Sequence, residues 1–371
     1  MLIPGVPVKI KGLNKGVQQE ILSCPFPFLS GAQTVLSCGR EALYYGIKLL
    51  KHLPQRAHVP AYCCKSVLAP FKKLSIEINF YDVGKHLEPI IDKKSIKKGD
   101  LFLLIHYFGI PQDIHSIKQL CEKFGFILIE DCAHTLPDPQ SSCPMGSTGV
   151  FSIYSLRKQL PVPDGGILVV NDNSLKERLS IIPKPKLKKV PLKKWLIMNF
   201  DKIAFFFGWP NTLKIKDALR NKISSTENIF YSSLLNEKVE ISYLTLKVLS
   251  NVNFSEIVKI RKRNYYWLVD KLKDIDQLKI PFPILPDAAV PQAFPILVKK
   301  ANYICAFMRK NGIGVDQWPG VELPKEVLSK FSGTFVWINS LILLPLHQDL
   351  KESHLKKIVK ILKKSLKLCL K

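Results

Sequence analysis

Lys158 ends the run Phe151-Ser152-Ile153-Tyr154-Ser155-Leu156-Arg157-Lys158, and a short loop then reaches Gly165-Gly166 and the apolar stretch Ile167-Leu168-Val169-Val170. A lysine amine whose pKa is lowered can carry a carbonyl compound covalently and shuttle a proton. The plainer alternative is a surface lysine beside Arg157, but a tight turn into a buried strand would fix the loop that holds it. Upstream, the apolar run Phe126-Ile127-Leu128-Ile129 ends on Glu130-Asp131-Cys132-Ala133-His134. A carboxylate at such a strand end can keep a cofactor ring nitrogen protonated. Its alternative is the N-cap of a following helix. For His134 the alternative is a satisfied structural histidine.

These residues need a scaffold that brings them to one edge. Residues 41–50 read as a helix, 58–61 and 76–81 as strands, 100–106 as a buried strand, 114–124 as a helix and 127–130 as a strand,. Strand, helix, strand at this spacing predicts right-handed crossovers in a mainly parallel sheet covered on both faces. Functional groups gather at the carboxyl ends of such strands, where His106, Asp131 and the segment before Lys158 fall. Later, the pattern predicts a helix over 240–272, strand-like 293–298, a helix over 303–310, strand-like 341–344 and a closing helix over 352–368. The expected division is a large α/β domain over residues 1–245 and a smaller C-terminal α+β domain over 246–371, with a basic, aromatic insertion at about 184–216.

A chain of 371 residues with 47% hydrophobic content can bury a full core,. Its net charge of +25 makes the surface attractive to nucleic acid, anionic membrane or phosphorylated substrates,. No recognition helix, zinc knuckle or aromatic RNA-binding motif accompanies the lysines, so no specific nucleic-acid partner is expected. The nine cysteines lack the spacing of a metal site or disulfide framework, which points to a reducing cytoplasm and no metal,. The first residues do not read as a signal peptide, and no apolar stretch approaches the roughly 20 residues of a membrane span. The segment 184–216 sets Trp195, Phe200, Phe205, Phe206, Phe207 and Trp209 among lysines. That mixture suits the surface of an anionic membrane, at its inner face, or a dimer-interface or core helix with a solvated lysine lead-in.

Six pieces of the chain match, in order and spacing, a known pattern: Gly39-Arg40-Glu41-Ala42-Leu43, Val59-Pro60-Ala61-Tyr62, His106-Tyr107-Phe108-Gly109, Glu130 to His134, Phe151 to Gly166, and Leu344-Pro345-Leu346-His347. From about residue 30 onward the chain resembles the DegT/DnrJ/EryC1/StrS family of sugar aminotransferases, fold-type-I pyridoxal-phosphate enzymes. The resemblance implies a three-layer, aspartate-aminotransferase-like α/β fold, a homodimer and pyridoxal 5'-phosphate as cofactor. It also implies amino transfer, with glutamate as the expected donor, to a keto-sugar nucleotide for polysaccharide or glycoconjugate biosynthesis.

In that family pattern Lys158 would hold the cofactor as a Schiff base and move the proton, Asp131 would pair with the pyridine nitrogen, and His134 would hydrogen-bond the phenolic oxygen. Gly39 and Arg40, at a helix start, would offer amides to the phosphate; Gly39 as a plain turn residue is the alternative. Ser152 matches the serine that reaches the phosphate, but one extra residue separates it from the lysine, which leaves Ser155 open. The ring-stacking position falls on Cys64, with Tyr62 the nearest aromatic. The asparagine motif that relatives contribute from the partner subunit has no counterpart in residues 231–238. The retained lysine separates the chain from related dehydratases, which carry histidine there. Two other readings stay open: a catalytically idle, membrane-associated or regulatory protein that keeps the fold, and a fold-type-I enzyme for another small amine or carbonyl compound.

Overall fold

Apolar runs alternating with amphipathic stretches set the architecture. The computed structural model describes residues 2–8, 19–22, 24–190, 192–207, 239–319 and 328–369. In chain order the first elements are β1 (Ala32–Leu36), α1 (Gly39–Lys48), β2 (Arg56–Pro60), α2 (Lys65–Lys73), β3 (Glu77–Val83), β4 (Pro89–Ile90), β5 (Leu101–Ile105), α3 (Ile114–Phe124), β6 (Ile127–Cys132), β7 (Phe151–Ser155) and β8 (Gly166–Val170). They build one eight-stranded sheet in the order β1-β8-β7-β6-β5-β2-β3-β4. The strands β3, β2, β5, β6 and β7 run parallel, and β8, β1 and β4 join antiparallel.

The middle strands are buried along their whole length, as the unbroken run Leu101-Phe102-Leu103-Leu104-Ile105 requires of a strand covered on both faces,. Alternation along β7 and β8 sends Ile153, Leu168 and Val170 into the core shared with α1 and α2. Tyr154, Ile167 and Val169 pack instead with Phe26, Leu29, Val248 and Val258,. Helix, sheet and helix thus form three layers. Gly166 lets β8 pass against the start of α1, since a Cβ there would lie 2.2 Å from the Cys38 carbonyl carbon.

After β8 come a short α4 (Asn173–Lys176), β9 (Lys186–Lys188), α5 (Leu192–Phe207), β10 (Glu240–Ser242), α6 (Tyr243–Leu249) and α7 (Phe254–Leu272). The single helix expected over 240–272 is therefore divided. Ser242 caps α6 by accepting the Thr245 N–H at 3.2 Å, and Asn253 opens α7 by accepting the Glu256 N–H at 3.0 Å,. Two local caps outweighed a continuous apolar period.

The C-terminal elements are β11 (Leu278–Lys279), β12 (Ala293–Val298), α8 (Ala301–Lys310), α9 (Ser332–Ser340), β13 (Leu341–Pro345) and α10 (Glu352–Leu368). The strands form an antiparallel sheet, β11-β12-β13, packed with α7, α8 and α10 around Leu268, Phe294, Ile304, Met308, Ile342 and Ile358. The first residues join this core rather than the large sheet with which residues 1–245 were grouped. Ile3 bridges Ile313, and the Val8 N–H donates to Asp349 Oδ2 at 2.8 Å. That pairing spans nearly the whole chain and leaves no local mark in the sequence.

Candidate active site

The carboxyl ends of β6 and β7 and the start of α1 converge on a cavity of about 410 Å³, within the size range of small-molecule sites,. Lys158 ends the single 3-10 turn Leu156–Lys158 that follows β7. Its position is clamped from both sides. Leu156 is fully buried and donates its N–H to the Gly165 carbonyl at 3.0 Å, and the Gly165 N–H donates to the Ser37 carbonyl at 2.7 Å. Gln159, also fully buried, donates its side-chain amide to the His134 carbonyl at 2.7 Å. Its own carbonyl accepts Arg261 Nη2 at 3.3 Å and Gln348 Nε2 at 3.1 Å. Arg261, buried in α7, also donates to the carbonyls of Pro291 and Gln292, so the C-terminal layer holds the lysine loop in place. None of Gln159, Arg261 and Gln348 was singled out in the sequence, because their partners lie far along the chain.

Lys158, Asp131 and His134 all line the cavity. Burial pushes the Lys158 amine from the ordinary 10.5 down to about 8, with Asp131 opposing the shift and Arg157 adding to it,. Burial raises the Asp131 carboxyl, against the pull of Lys158, the Ala133 N–H and His106. Asp131 Oδ1 accepts the Ala133 N–H at 2.8 Å, and no other hydrogen bond to this carboxylate occurs among the described residues. A buried acid with one oxygen lacking a donor suits a cationic ring N–H. His134 is held neutral, well below its usual range, by burial and then by Lys158. Its Nδ1 accepts the Phe108 N–H at 3.2 Å, so the neutral ring carries its proton on Nε2 and can donate it to an oxyanion,.

The neighbouring acid has a different task. Glu130 points to the opposite face, where it accepts N–H groups from Gly146, Thr148 and Gly149 and faces His106 Nε2 at 2.8 Å. Burial opposes its ionisation, but the His106 ring and the Gly149 and Thr148 amides hold it below the usual carboxylate range. Glu130 shapes the loop beside the strand while Asp131 faces the cavity. Gly39 and Arg40 also line the cavity, where α1 begins without a side-chain cap on Cys38. Its first amides and helix dipole therefore suit a phosphate. A carboxylate oxygen without a donor in the cavity, a neutral histidine donor, a depressed lysine and an uncapped helix start together fit pyridoxal phosphate.

Two sequence-based assignments need correction. Ser152 does not reach the cavity: its hydroxyl donates to the Gly146 carbonyl at 2.7 Å on the other face of β7. The extra residue before Lys158 changes the strand parity, so Ile153 and Ser155 are the cavity-facing positions,. Tyr62 is fully buried outside the cavity lining, donating its hydroxyl to the Trp318 carbonyl. Cys64 does line the cavity, and its Sγ accepts the Ser66 hydroxyl at 3.1 Å. The aromatic side chain at the cavity is Trp318, whose ring meets His134 edge-on at 4.7 Å and Tyr62 at 5.1 Å. Sequence reasoning missed Trp318 because it arrives from the C-terminal half. Residues 231–238, where the partner-subunit motif was sought, lie outside the described residues.

The depressed lysine gives a direct test on the cofactor-free protein. Only the unprotonated amine attacks a small aldehyde or acylating reagent, so labelling of Lys158 should fall about tenfold per pH unit below pH 8 and level off above it,. Peptide mapping across a pH series checks this; a half-maximum near the ordinary 10.5 would contradict the burial argument.

Comparison with known proteins agrees with the geometry. Residues 81–197, which include Asp131, His134 and Lys158, match the model of the DegT/DnrJ/EryC1/StrS aminotransferase family. A GDP-perosamine synthase of Vibrio cholerae is 24% identical over 164 residues, covering 44% of this chain and 35% of that protein. A UDP-4-amino-4-deoxy-L-arabinose--oxoglutarate aminotransferase of Shewanella sediminis is 32% identical over 95 residues, covering 25% and 23%. The matched stretches thus span about a third or less of these relatives. Among solved structures, Helicobacter pylori PseC, an aminotransferase involved in the biosynthesis of pseudoaminic acid, superposes with a TM-score of 0.71 at 14% identity, over 96% of this chain and 93% of that one. Residues 81–197 thus carry the sequence pattern of the DegT/DnrJ/EryC1/StrS aminotransferase family, and the chain as a whole shares the fold of PseC.

Proposed function

We propose that the protein is a pyridoxal-phosphate-dependent aminotransferase that moves an amino group from glutamate to a keto-sugar nucleotide. The observation that carries this reading is the buried amine of Lys158 in a cavity that Asp131 and His134 also line. Bound pyridoxal phosphate supplies an electron sink for the carbon that loses its proton. The residues divide the remaining work. Lys158, with a pKa of about 8, can give up and regain a proton near neutral pH,. Asp131 would stabilise positive charge on the ring nitrogen, His134 Nε2–H would donate to the phenolic oxygen, and the start of α1 at Gly39 and Arg40 would bind phosphate with Ser155 at hand. Trp318 and Cys64 wall the cavity and exclude water. Glutamate as donor accords with the oxoglutarate in the name of the Shewanella relative, and both curated relatives have nucleotide-sugar names.

The remaining parts of the reading concern setting and assembly. Nine cysteines that form no disulfide among the described residues suit a reducing cytoplasm, and the family resemblance implies a homodimer,. No helix among the described residues is long and apolar enough to cross a membrane. On α5, however, Leu192, Trp195, Leu196, Phe200, Ile203 and Phe207 are exposed, while Ala204 and Phe205 fasten the helix to Leu2 and His354. The preceding tract exposes Lys184, Lys186 and Lys189. A two-fold contact with a second copy through this face would bring like charges together, whereas an anionic bilayer would attract them at about 1 kcal/mol per lysine near the surface. Residues 208–216 of the proposed contact lie outside the described residues.

Two experiments test the reading. Loaded protein should absorb visible light, lose that band on addition of glutamate and release 2-oxoglutarate. Lys158→Ala should lower turnover with keto-sugar nucleotides by about 10²–10⁴-fold or more. Protein that takes up no cofactor would favour an idle fold, and repeated turnover of amino acids with small keto acids, beyond one equivalent per cofactor and without any sugar acceptor, would favour the other enzyme class. For the surface, sedimentation with phosphatidylserine vesicles should be lost in high salt and in Trp195→Glu/Phe200→Glu; equal binding to neutral vesicles, or none, would overturn the membrane contact.

A further inference from the structure

Filling the cavity as described leaves one charge without a counterpart. Four charged side chains line it: Arg40, Arg157, Lys158 and Asp131. Asp131 would answer the cofactor ring, Lys158 would be occupied in holding the cofactor, and Arg40 stands at the helix start that suits the phosphate. Arg157 remains. It lies on the turn Leu156–Lys158, next to the reactive lysine, and is exposed where the cavity opens. Among the described residues no hydrogen bond or ion pair engages its guanidinium, although its charge is felt at Lys158.

We propose that Arg157 is the anchor for the oxyanion of the substrates, and so sets their class: a dicarboxylic amino donor, an acceptor bearing a diphosphate, or both in turn. This rests on the aminotransferase reading. The guanidinium presents a planar fork that matches carboxylate and phosphate oxygens, and pairing in a partly dry cavity strengthens the contact. Its backbone is already fixed, because Leu156 on one side and Gln159 on the other are fully buried and hydrogen-bonded. Little backbone ordering is therefore lost when an anion arrives, and the cost is confined to the arginine side chain. A single anchor beside the lysine would serve both halves of the reaction, since donor and acceptor occupy the cavity one after the other. Each must present its reacting carbon to the same amine. Neutralising Arg157 also removes a positive neighbour from Lys158, so a bound oxyanion raises the lysine's proton affinity.

The test compares wild type, Arg157→Lys and Arg157→Gln as loaded protein, with glutarate and UDP as unreactive probes in binding calorimetry. A second readout uses cofactor-free protein: the pH midpoint of Lys158 labelling, with and without each probe. Arg157→Gln should bind one or both probes about 10-fold to 100-fold more weakly, with Arg157→Lys in between. Loss for glutarate alone assigns the anchor to the donor, loss for UDP alone assigns it to the acceptor, and loss for both assigns it to both. In wild type the effective probe should move the labelling midpoint upward, and in Arg157→Gln it should not. Unchanged binding of both probes in an Arg157→Gln protein that keeps its visible band would overturn the proposal and leave the aminotransferase reading standing. Absence of the band in wild type would instead strike at that reading.

Discussion

The structure turns on the burial of one amine opposite one acid. Water would keep both Lys158 and Asp131 charged at neutral pH; inside the cavity, burial lowers the lysine to about 8 and raises the aspartate,. Neither shift survives if the groups can swing out to solvent. The fold therefore spends much of its hydrogen bonding on the segments that hold them. The β6–β7 register sets Asp131 beside Ile153, the Gly165 turn ties the lysine loop to the start of α1, and Gln159 and Arg261 fasten its other end to the C-terminal layer.

Strand alternation assigns the remaining roles. Consecutive residues of β6 face opposite ways, so Glu130 can organise residues 146–149 while Asp131 faces the cavity,. The same alternation removes Ser152 from the cavity and admits Ser155. The site thus departs from the pattern of the family that it resembles. Hydroxyl and aromatic surface come from Ser155 and Trp318 in place of Ser152 and Tyr62.

The parts of this arrangement that were legible in the sequence are those with local signals. The unbroken apolar run of β5 announced a buried strand, and the acid near the end of β6 and the lysine before Gly165-Gly166 were legible as residues that the fold brings to one cavity. The parts that escaped depend on partners distant in the chain. Trp318 reaches the cavity from the C-terminal half, Arg261 finds its acceptors at residues 159, 291 and 292, and Ile3 joins a core built mainly by residues beyond 260. The break between α6 and α7 was locally written, in Asn253 as a cap, but the apolar period running through it concealed the stop.

The central claim is that Lys158, alone among the chain's many lysines, is the residue that holds the cofactor. Borohydride reduction of the loaded protein, followed by proteolysis and peptide mass mapping, tests it most directly. The account predicts one stoichiometric phosphopyridoxyl adduct, on the peptide that contains Lys158. An adduct spread over several surface lysines, or placed on any other single one, would contradict it.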